Sequence, residues 1–416
     1  MERSYESAAA LAGRATGPVS EHLGSFVDLL IRQRFVAAVV YVKALHAVAF
    51  DRWLAQHDVS LVKLGEIHIR RFLRRRRRQS GPIRPETRRH EQYDVEQLLR
   101  FLQSRGICAQ VVVTTTPAED FVAAYAAHLR DRQGLAATTI ERYTRVAQQF
   151  LKRRFSAGAV DLRMVAAADI IEFVRSQVTR LQPPGLKCVV NAARSFLRYG
   201  QLRGDVAREL VAAVPSVAGW TTTPPLPRAI SPEHVQRAID SCDVGTAIGL
   251  RDRAIVLILA RLGLRAHEVI ALQLEDCDWN LGHLRVRSKG GRECLLPMPD
   301  DVGWAIAAYL ERGRPVSDDR HLFLRSTAPI RGFMHGSDAI GSIVRYALAR
   351  AGIDAPHRGS HQFRHALAVR MLQGRASFAE IGEVLRHRSP QTTSIYARVD
   401  LDALRPLALP WPGGAR

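Results

Sequence analysis

Residues 360–396 read SHQFRHALAVRMLQGRASFAEIGEVLRHRSPQTTSIY, and this stretch carries the strongest signal in the chain. Apolar residues recur at helical spacing in its first half, so His361 and Arg364, three positions apart, lie on one helix face. His387 follows in a basic segment, and Tyr396 comes nine residues later. Singly, such a histidine is ordinary basic surface and such a tyrosine is ordinary core. Together they form a candidate site.

Two stretches upstream add residues of matching type. Residues 262–276, LGLRAHEVIALQLED, place Arg265 at a helix start and Glu268 one turn later, where an ion pair between the two is the ordinary explanation. Residues 285–297, RVRSKGGRECLLP, alternate apolar positions around Lys-Gly-Gly. This pattern predicts a β-hairpin with Lys289 at its tip. Alone, Lys289 would be a common turn lysine.

The combined set suits one chemistry, the transfer of a phosphodiester. A tyrosine hydroxyl can replace one phosphodiester by another of similar energy, without a metal or a nucleotide, by forming a covalent intermediate. Arginine offers a permanent charge in a planar fork that fits phosphate oxygens. Histidine exchanges protons near neutral pH, and a lysine can protonate a departing oxygen.

The order Arg, Lys, His-x-x-Arg, His and Tyr resembles the tyrosine recombinase or phage integrase family. The resemblance covers residues 228–410 strongly and 118–214 more weakly. It implies an enzyme that cleaves and rejoins DNA through a covalent 3′-phosphotyrosyl intermediate, for integration, excision or transposition of a mobile element. It also implies double-stranded DNA as partner, a homotetramer on a DNA synapse, accessory recombinase or directionality proteins, and no cofactor.

The resemblance assigns six catalytic positions and one supporting position. Two arginines bind the scissile phosphate, the first histidine exchanges the tyrosine proton, the second donates to the phosphate, and the lysine protonates the departing 5′ oxygen. In chain order these residues are Arg265, Lys289, His361, Arg364, His387 and the nucleophile Tyr396, with Glu268 in support.

The sequence departs from the family pattern at one turn. Residues 385–387 are Leu-Arg-His where the family usually has Leu-Gly-His. We expect Arg386, like Arg388, to contact DNA, and the tight turn usual for glycine to be altered.

His365 is expected to pack or hydrogen-bond locally. His361 and His365, at i and i+4, could alternatively form a metal pair, but no third ligand is evident nearby, so no metal is predicted.

The bulk composition favours a DNA-associated protein. The 60 lysines and arginines against 40 acidic residues give a net charge of +20 and a pI near 10.7, which is typical of nucleic-acid binders, although ribosome-associated and membrane-surface proteins can be as basic. The five cysteines form no C-x-x-C pair, which argues against a disulfide framework or a zinc site. No segment approaches the roughly 20 apolar residues of a membrane span. We expect a cytoplasmic protein without a membrane partner.

The chain is expected to be mainly α with a small β-sheet, with helical (SAM-like) DNA-binding domains before a mixed α+β catalytic domain. A helical N-terminal domain is placed at residues 1–110 and a core-binding domain at 112–214. A Pro-rich linker follows at 215–230, and the catalytic domain with its C-terminal tail occupies 231–416. Ser231 and Pro232 predict the first helix after the linker.

Two features of the N-terminal half have alternative explanations. Segments of this half match at an offset of 100 to 101 residues, which indicates either two small DNA-binding modules in tandem or one long helical region. Residues 79–92 are predicted to be a connector. Just before it stand five consecutive arginines, which form either a solvated helix end or a DNA-binding arm. They are Arg74, Arg75, Arg76, Arg77 and Arg78.

Two rival functions use the same fold. A type IB topoisomerase shares the chemistry, and a DNA-binding regulator would keep the fold without the activity. The complete six-residue set disfavours the regulator, and the core-binding domain with its linker favours recombination over relaxation. After Tyr396, the apolar residues Leu407, Leu409 and Trp411 are expected either to dock on a neighbouring protomer or to cover the chain's own core.

Overall fold

The computed structural model describes residues 3–79, 85–108, 116–155, 160–217, 229–287, 293–334, 338–355, 359–387 and 389–399. Over these ranges the chain is mainly helical with one small antiparallel sheet, as the sequence predicts. It divides into two compact units, residues 1–110 together with 224–416, and residues 111–223. Most of the predicted linker, and the tail residues Leu407, Leu409 and Trp411, lie outside the described residues.

The first unit begins with five helices around a core of their own. They are Tyr5–Gly13 (α1), Ser20–Arg32 (α2), Ala37–Gln56 (α3), Glu66–Gln79 (α4) and Pro85–Ser104 (α5), with a 3-10 turn at Leu61–Lys63. Phe26 and Phe50 are fully buried at its centre. The buried Asp51 carboxylate accepts hydrogen bonds from the backbone N–H groups of Gly17 and Val19, at 2.7 and 2.8 Å, and so fixes the start of α2.

The connector between α4 and α5 is shorter than predicted. The helix α4 continues to Gln79 through all five arginines, and α5 begins at Pro85. Proline suits a first helical position because its φ is preset and its missing N–H would have had no helical partner. The prediction of a connector over residues 79–92 is therefore wrong for its second part, which is helix.

The second unit is a separate helical bundle. Its helices are Pro117–Asp131 (α6), Ala137–Phe155 (α7), Ala167–Val178 (α8), Pro183–Leu202 (α9) and Arg208–Ala212 (α10), with a 3-10 turn at Leu162–Met164. Thr116 and Glu119 form a capping box at the start of α6. Phe150 meets Phe173 and Phe196 edge-on in the core, an arrangement that aromatic quadrupoles favour.

The order helix, helix, 3-10 turn, helix, helix occurs in both bundles at nearly constant offset. The helices α3 and α7 begin 100 residues apart, at 37 and 137, and α4 and α8 begin 101 apart, at 66 and 167. Matching core positions are filled by the same residue types, phenylalanine at 50 and 150 and at 72 and 173, and isoleucine at 69 and 170. This agreement supports the internal duplication over one long helical region.

The rest of the first unit holds the candidate site. Its helices are Pro232–Asp240 (α11), Ala247–Arg261 (α12), Ala266–Ala271 (α13), Asp300–Arg312 (α14), Ala339–Arg350 (α15), His361–Gln373 (α16), Phe378–Val384 (α17) and Pro390–Thr393 (α18), with 3-10 turns at Leu274–Asp276 and Ser394–Val399. Ser231 caps α11 by accepting from the backbone N–H of His234, as predicted. The helix α12 is buried along most of its length and forms the centre of this core.

A three-stranded antiparallel sheet lies beside these helices. Its strands are Cys277–Asp278 (β1), His283–Arg287 (β2) and Glu293–Pro297 (β3), in the order β1-β2-β3. The strands β2 and β3 pair with Arg287 opposite Glu293, which confirms the predicted β-hairpin. The Arg287 guanidinium donates to Asp276 at 2.8 Å and to Glu293 at 3.2 Å, so the hairpin is held at the base of its tip.

Candidate active site

Arg265 is the N-cap residue of α13, and its position is fixed by Glu268. The backbone N–H and Nη1 of Arg265 donate to the two carboxylate oxygens of Glu268, both at 2.9 Å. Nη2 of Arg386 reaches the same buried carboxylate at 3.1 Å. Burial alone would raise the pKa of Glu268, but the backbone hydrogen bond from Arg265 and the charges of Arg386 and Arg265 hold it below its usual value. One carboxylate thus orients two guanidinium groups.

Replacing Glu268 with glutamine is expected to destabilise the fold by about 3 kcal/mol near neutral pH, because Arg386 then stays buried without its counter-charge. The pKa of the folded carboxyl lies below 4.5, its usual value. The stabilisation is therefore complete above that value and is lost as the pH falls through the lower, folded pKa. Urea unfolding across this range measures it, with Glu275→Gln, at a half-exposed glutamate, as control. A difference between wild type and Glu268→Gln that grows towards acid would contradict the ion pair.

Arg386 occupies the turn where glycine was expected. Its backbone has φ +54°, a left-handed conformation that glycine adopts without strain and other residues adopt rarely, so the tight turn is kept. The side chain, only 7% exposed, turns inward to Glu268. In the described part of the chain its Nε is a buried donor without a hydrogen-bond partner. Arg386, which was predicted to contact DNA, thus adds charge to the cluster around Arg265.

Arg364 lies at the centre of the cluster, buried on α16. Its Nη1 donates to the carbonyl oxygen of Gly263 at 2.5 Å, and its Nη2 donates to the carbonyl oxygen of Leu385. These bonds join the turn before α13 to the end of α17. Burial, with the nearby charges of Arg265 and Arg386, lowers the pKa of Arg364 to about 10, so the guanidinium stays charged at neutral pH.

Gly263 allows this close approach. It has φ +59°, and an added Cβ would lie 2.8 Å from a Leu385 methyl carbon and 2.9 Å from a Leu367 methyl carbon. A residue with a side chain would be strained at this φ and would push the two leucines away. The glycine therefore keeps the carbonyl that Arg364 binds in place.

The predicted histidines lie around Arg364. Nδ1 of His387 is 2.7 Å from the hydroxyl oxygen of Thr393, and burial with the charges of Arg364 and Arg265 lowers the pKa of His387 to about 4. Burial, with the charge of Arg364, also lowers the pKa of His361. Both imidazoles are therefore neutral near pH 7. Within the described ranges, no three His, Cys, Asp or Glu side chains form a group that could hold a metal ion.

Tyr396 is buried, with 1% of its surface exposed, in a small cluster with Leu367 and Leu385. Its hydroxyl oxygen is 2.8 Å from Nδ1 of His365, and its ring stacks parallel to that of His387 with 6.5 Å between centroids. Burial raises the pKa of Tyr396 to about 12, although the charge of Arg364 opposes the shift. The structure thus brings Arg265, Arg364, the three histidines and Tyr396 together.

Some predicted site residues lie outside the described part of the chain. Lys289 falls within residues 288–292, at the predicted hairpin tip, and Arg388 falls between two described ranges. The backbone places Arg77 and Arg78 in α4, but their side chains are not described.

The other arginines of the run, Arg74, Arg75 and Arg76, also lie on α4, one turn after Arg71. Arg71, Arg74 and Arg75 are exposed. Since these three positions are separated by one turn or less, they share one face of the helix. Arg76 instead pairs with Glu91 at 2.8 Å and lies over the Phe72 ring. Among the described side chains of the run, Arg74 and Arg75 therefore lie on an exposed face and Arg76 packs on α5.

Sequence reasoning missed three contributors. Thr393 orients His387, Arg386 shares the carboxylate of Glu268, and His365 contacts the phenol of Tyr396. The spacing His361-x-x-x-His365 was visible, but it does not say which ring faces a tyrosine 31 residues further along the chain. For Arg386, the departure from glycine was the signal, but its partner lies 118 residues upstream.

The geometry agrees with the chain's relatives. Residues 228–402 match the phage integrase family. The chain is 46% identical over 410 residues to the integrase/recombinase y4rA of Sinorhizobium fredii, and the match covers 98% of each chain. The chain belongs to the phage integrase family. It is also 30% identical over 302 residues to the tyrosine recombinase XerD of Mycobacterium tuberculosis, covering 70% of this chain and 95% of the relative. This member is therefore a tyrosine recombinase, a DNA strand-transferring enzyme.

Solved structures of other recombinases have the same fold. The XerH recombinase bound to its palindromic difH substrate matches with a TM-score of 0.55 at 18% identity, covering 82% of this chain and 94% of XerH. The Tn1549 transposon integrase in complex with a circular-intermediate DNA matches with a TM-score of 0.50 at 17% identity, covering 68% of this chain and 99% of that chain.

Among the described helices of the present recombinase, none has the length and apolar character needed to cross a bilayer.

Proposed function

We propose that this chain is a site-specific recombinase in which the Tyr396 oxygen attacks the scissile phosphorus. The P–O bond to the tyrosine forms, the bond to the 5′ oxygen breaks, and the 3′ phosphate stays on the enzyme. The phenol proton leaves to an imidazole, and Lys289 protonates the 5′ oxygen. The observation that supports this proposal most is the buried phenol, which lies beside the imidazoles of His365 and His387 and within electrostatic reach of Arg364. Burial lowers the pKa of both imidazoles, so both are neutral near pH 7.

The charge of the cluster fits a phosphate in its transition state. Three guanidinium groups, those of Arg265, Arg364 and Arg386, stand against the one carboxylate of Glu268, which leaves two positive charges in excess. Fixed charges of this kind stabilise the negative non-bridging oxygens, and removing one costs about 10²- to 10³-fold in rate. His387, with Nδ1 accepting from Thr393, would donate to the phosphate from Nε2.

The test is to identify the residue that becomes attached to DNA. A binding site is first selected from random duplexes on the full-length protein, and a suicide substrate nicked beside the cleavage position is then made from it. We expect a covalent adduct whose phosphopeptide, by mass spectrometry, carries the nucleotide on Tyr396. An adduct on another residue, or cleavage that disappears when EDTA is added, would contradict the proposal.

The proposed biological role is the integration, excision or transposition of a mobile element. Support comes from the 46% identical integrase/recombinase relative and from the fold shared with a transposon integrase. We further propose that the enzyme assembles as a homotetramer on two duplexes and acts with accessory recombinase or directionality proteins. We also propose that it is located in the cytoplasm, associated with DNA. The apolar tail residues Leu407, Leu409 and Trp411, which lie outside the described residues, would serve contacts between protomers.

The domain assignment is also a proposal. Separate apolar cores at residues 8–108 and 122–214, and those from 230 onward, support an N-terminal domain, a core-binding domain and a catalytic domain at the predicted boundaries. The duplicated element order supports two tandem DNA-binding modules. In the first module the run Arg74–Arg78 would contact the DNA backbone, as would Arg388 near the active site.

Replacing Arg74 and Arg75 together with alanine is expected to weaken DNA binding at all sequences and to flatten its salt dependence. Each phosphate contact contributes about 0.9 to the slope of log affinity against log salt, so the double variant should lose about 2. Fluorescence anisotropy at several salt concentrations measures this slope. The double variant Glu66→Ala/Arg70→Ala, which removes an exposed ion pair from the same helix, is the control. An unchanged slope would mean that Arg74 and Arg75 do not bind phosphate.

No observation favours the two rival functions. A relaxing topoisomerase would nick with little regard to sequence, and a silent regulator would bind without forming an adduct. The selection of a preferred duplex and the covalent trap together distinguish these outcomes from recombination.

A further inference from the structure

The hydroxyl of Tyr396 contacts a histidine outside the six predicted catalytic positions. Nδ1 of His365 lies 2.8 Å from the phenol oxygen, and the two rings meet at 62° with 5.7 Å between centroids. His361, one turn earlier on α16, has its ring centroid 6.3 Å from that of His365. The imidazole that contacts the attacking oxygen is therefore the one that directly follows Arg364.

We propose that His365 is a catalytic residue whose Nδ1 accepts the Tyr396 proton as the phenol oxygen attacks phosphorus. The proton is returned to the phenol oxygen when a DNA hydroxyl attacks the phosphotyrosyl bond and the strand is rejoined. The proton of the departing 5′ oxygen comes from another donor, so each transfer is balanced. This assignment rests on the proposed nucleophilic role of Tyr396, and it moves proton exchange from His361 to His365.

The phenol needs a base because it is far from ionised. Burial raises the pKa of Tyr396 to about 12, so only about one phenol in 10⁵ is ionised at pH 7. His365 is in the right form to accept, because burial, with the neighbouring His361 and the charge of Arg364, lowers its pKa and keeps the ring neutral. In the tautomer protonated on Nε2, Nδ1 accepts the hydrogen bond that the phenol donates.

The titratable and charged groups around His365 link its basicity to the presence of DNA. His361 and Arg364 stand on its own helix, Tyr396 faces it from the 3-10 turn, and His387 couples to it from the loop after α17. The positive charge of Arg364 disfavours an imidazolium in the free enzyme. A bound phosphate offsets that charge, so His365 becomes a stronger base when the phosphodiester is in place.

Single-turnover cleavage of the suicide substrate tests this proposal. The variants are His365→Ala and His365→Asn, with His22→Ala as a histidine control in α2. The asparagine amide can hydrogen-bond to the phenol near the Nδ1 position but cannot take its proton. Both variants should cleave about 10²-fold more slowly near pH 7, while their thermal melting and DNA affinity stay close to wild type.

The pH profile and chemical rescue separate proton transfer from positioning. The wild-type rate should level off above the pKa of His365, whereas the variants' rates should keep rising with pH as the phenol ionises. Added imidazole should accelerate His365→Ala and leave the wild type unchanged. An asparagine variant that cleaves at the wild-type rate, or an alanine variant within about threefold of it, would overturn the proposal.

A substrate with sulfur in place of the bridging 5′ oxygen distinguishes the two proton transfers. A thiolate leaves without protonation, so this substrate should restore cleavage to Lys289→Ala and not to His365→Ala. Restoration of His365→Ala would show that His365 serves the leaving group. If the wild type forms no adduct at Tyr396, the proposed function itself fails. If it does and the His365 variants match it, only the present inference fails.

Discussion

Tyr396→Phe is expected to bind its DNA site with wild-type affinity and to form no covalent adduct, a loss of cleavage of about 10⁴-fold or more. The substitution removes one oxygen and leaves the ring in its cluster against Leu367 and Leu385. The lost hydrogen bond to His365 is worth about 1 kcal/mol, so the fold should persist. Any loss of trapping then reports the missing nucleophile.

The measurement is denaturing electrophoresis of the suicide-substrate reaction, with binding followed in parallel by gel shift. Tyr346→Phe is the matched control, because Tyr346 lies on α15 and is 65% exposed. It should cleave like the wild type. An adduct that persists in the Tyr396→Phe protein would remove Tyr396 from the role of nucleophile, whatever the activity of the other variants.

The sequence predicted those site features that depend on local spacing. Arg265 at a helix start, Glu268 one turn later, and His361 with Arg364 on one helix face follow from 3.6 residues per turn. The hairpin follows from alternation around a Lys-Gly-Gly turn. These patterns depend on a few neighbouring residues, and tertiary contacts do not alter them.

Contacts between distant segments could not be obtained in this way. Arg386 was predicted to contact DNA and to alter the turn that glycine usually forms. The structure keeps the left-handed turn and places the Arg386 side chain on Glu268, a partner 118 residues upstream that local spacing could not reveal. His365 was predicted to pack or hydrogen-bond locally. Which of two histidines meets Tyr396 depends on how the final 3-10 turn packs on α16.

The connector between α4 and α5 shows a different limit. Residues 79–92 were predicted to be a connector because Gln79, Ser80, Gly81 and Pro82 directly follow the arginine run. Proline breaks a helix interior but suits a helix start, and Pro85 is the first residue of α5. The same sequence pattern is compatible with a loop and with a helix start, and the packing of α5 against α3 and α4 favours the helix.

Arg364→Lys is expected to lower single-turnover cleavage by about 10³-fold while leaving DNA affinity nearly unchanged. Lysine keeps a positive charge but lacks the planar fork. It cannot donate to the carbonyl oxygens of Gly263 and Leu385 and still direct a donor at the phosphate. Arg364→Ala should lose more, because it also leaves two buried carbonyl groups without donors, at about 1–3 kcal/mol each.

Comparing the two variants separates the effect of the positive charge from the effect of the hydrogen bonds that Arg364 makes to the backbone. Chemical denaturation should show Arg364→Ala several kcal/mol less stable than wild type and Arg364→Lys in between. Arg345→Lys, on the surface of α15, controls for the exchange of arginine for lysine and should change neither stability nor cleavage. A lysine variant that cleaves within about tenfold of wild type would mean that charge alone suffices at this position. The fork would then serve only to hold the turn before α13 against the end of α17.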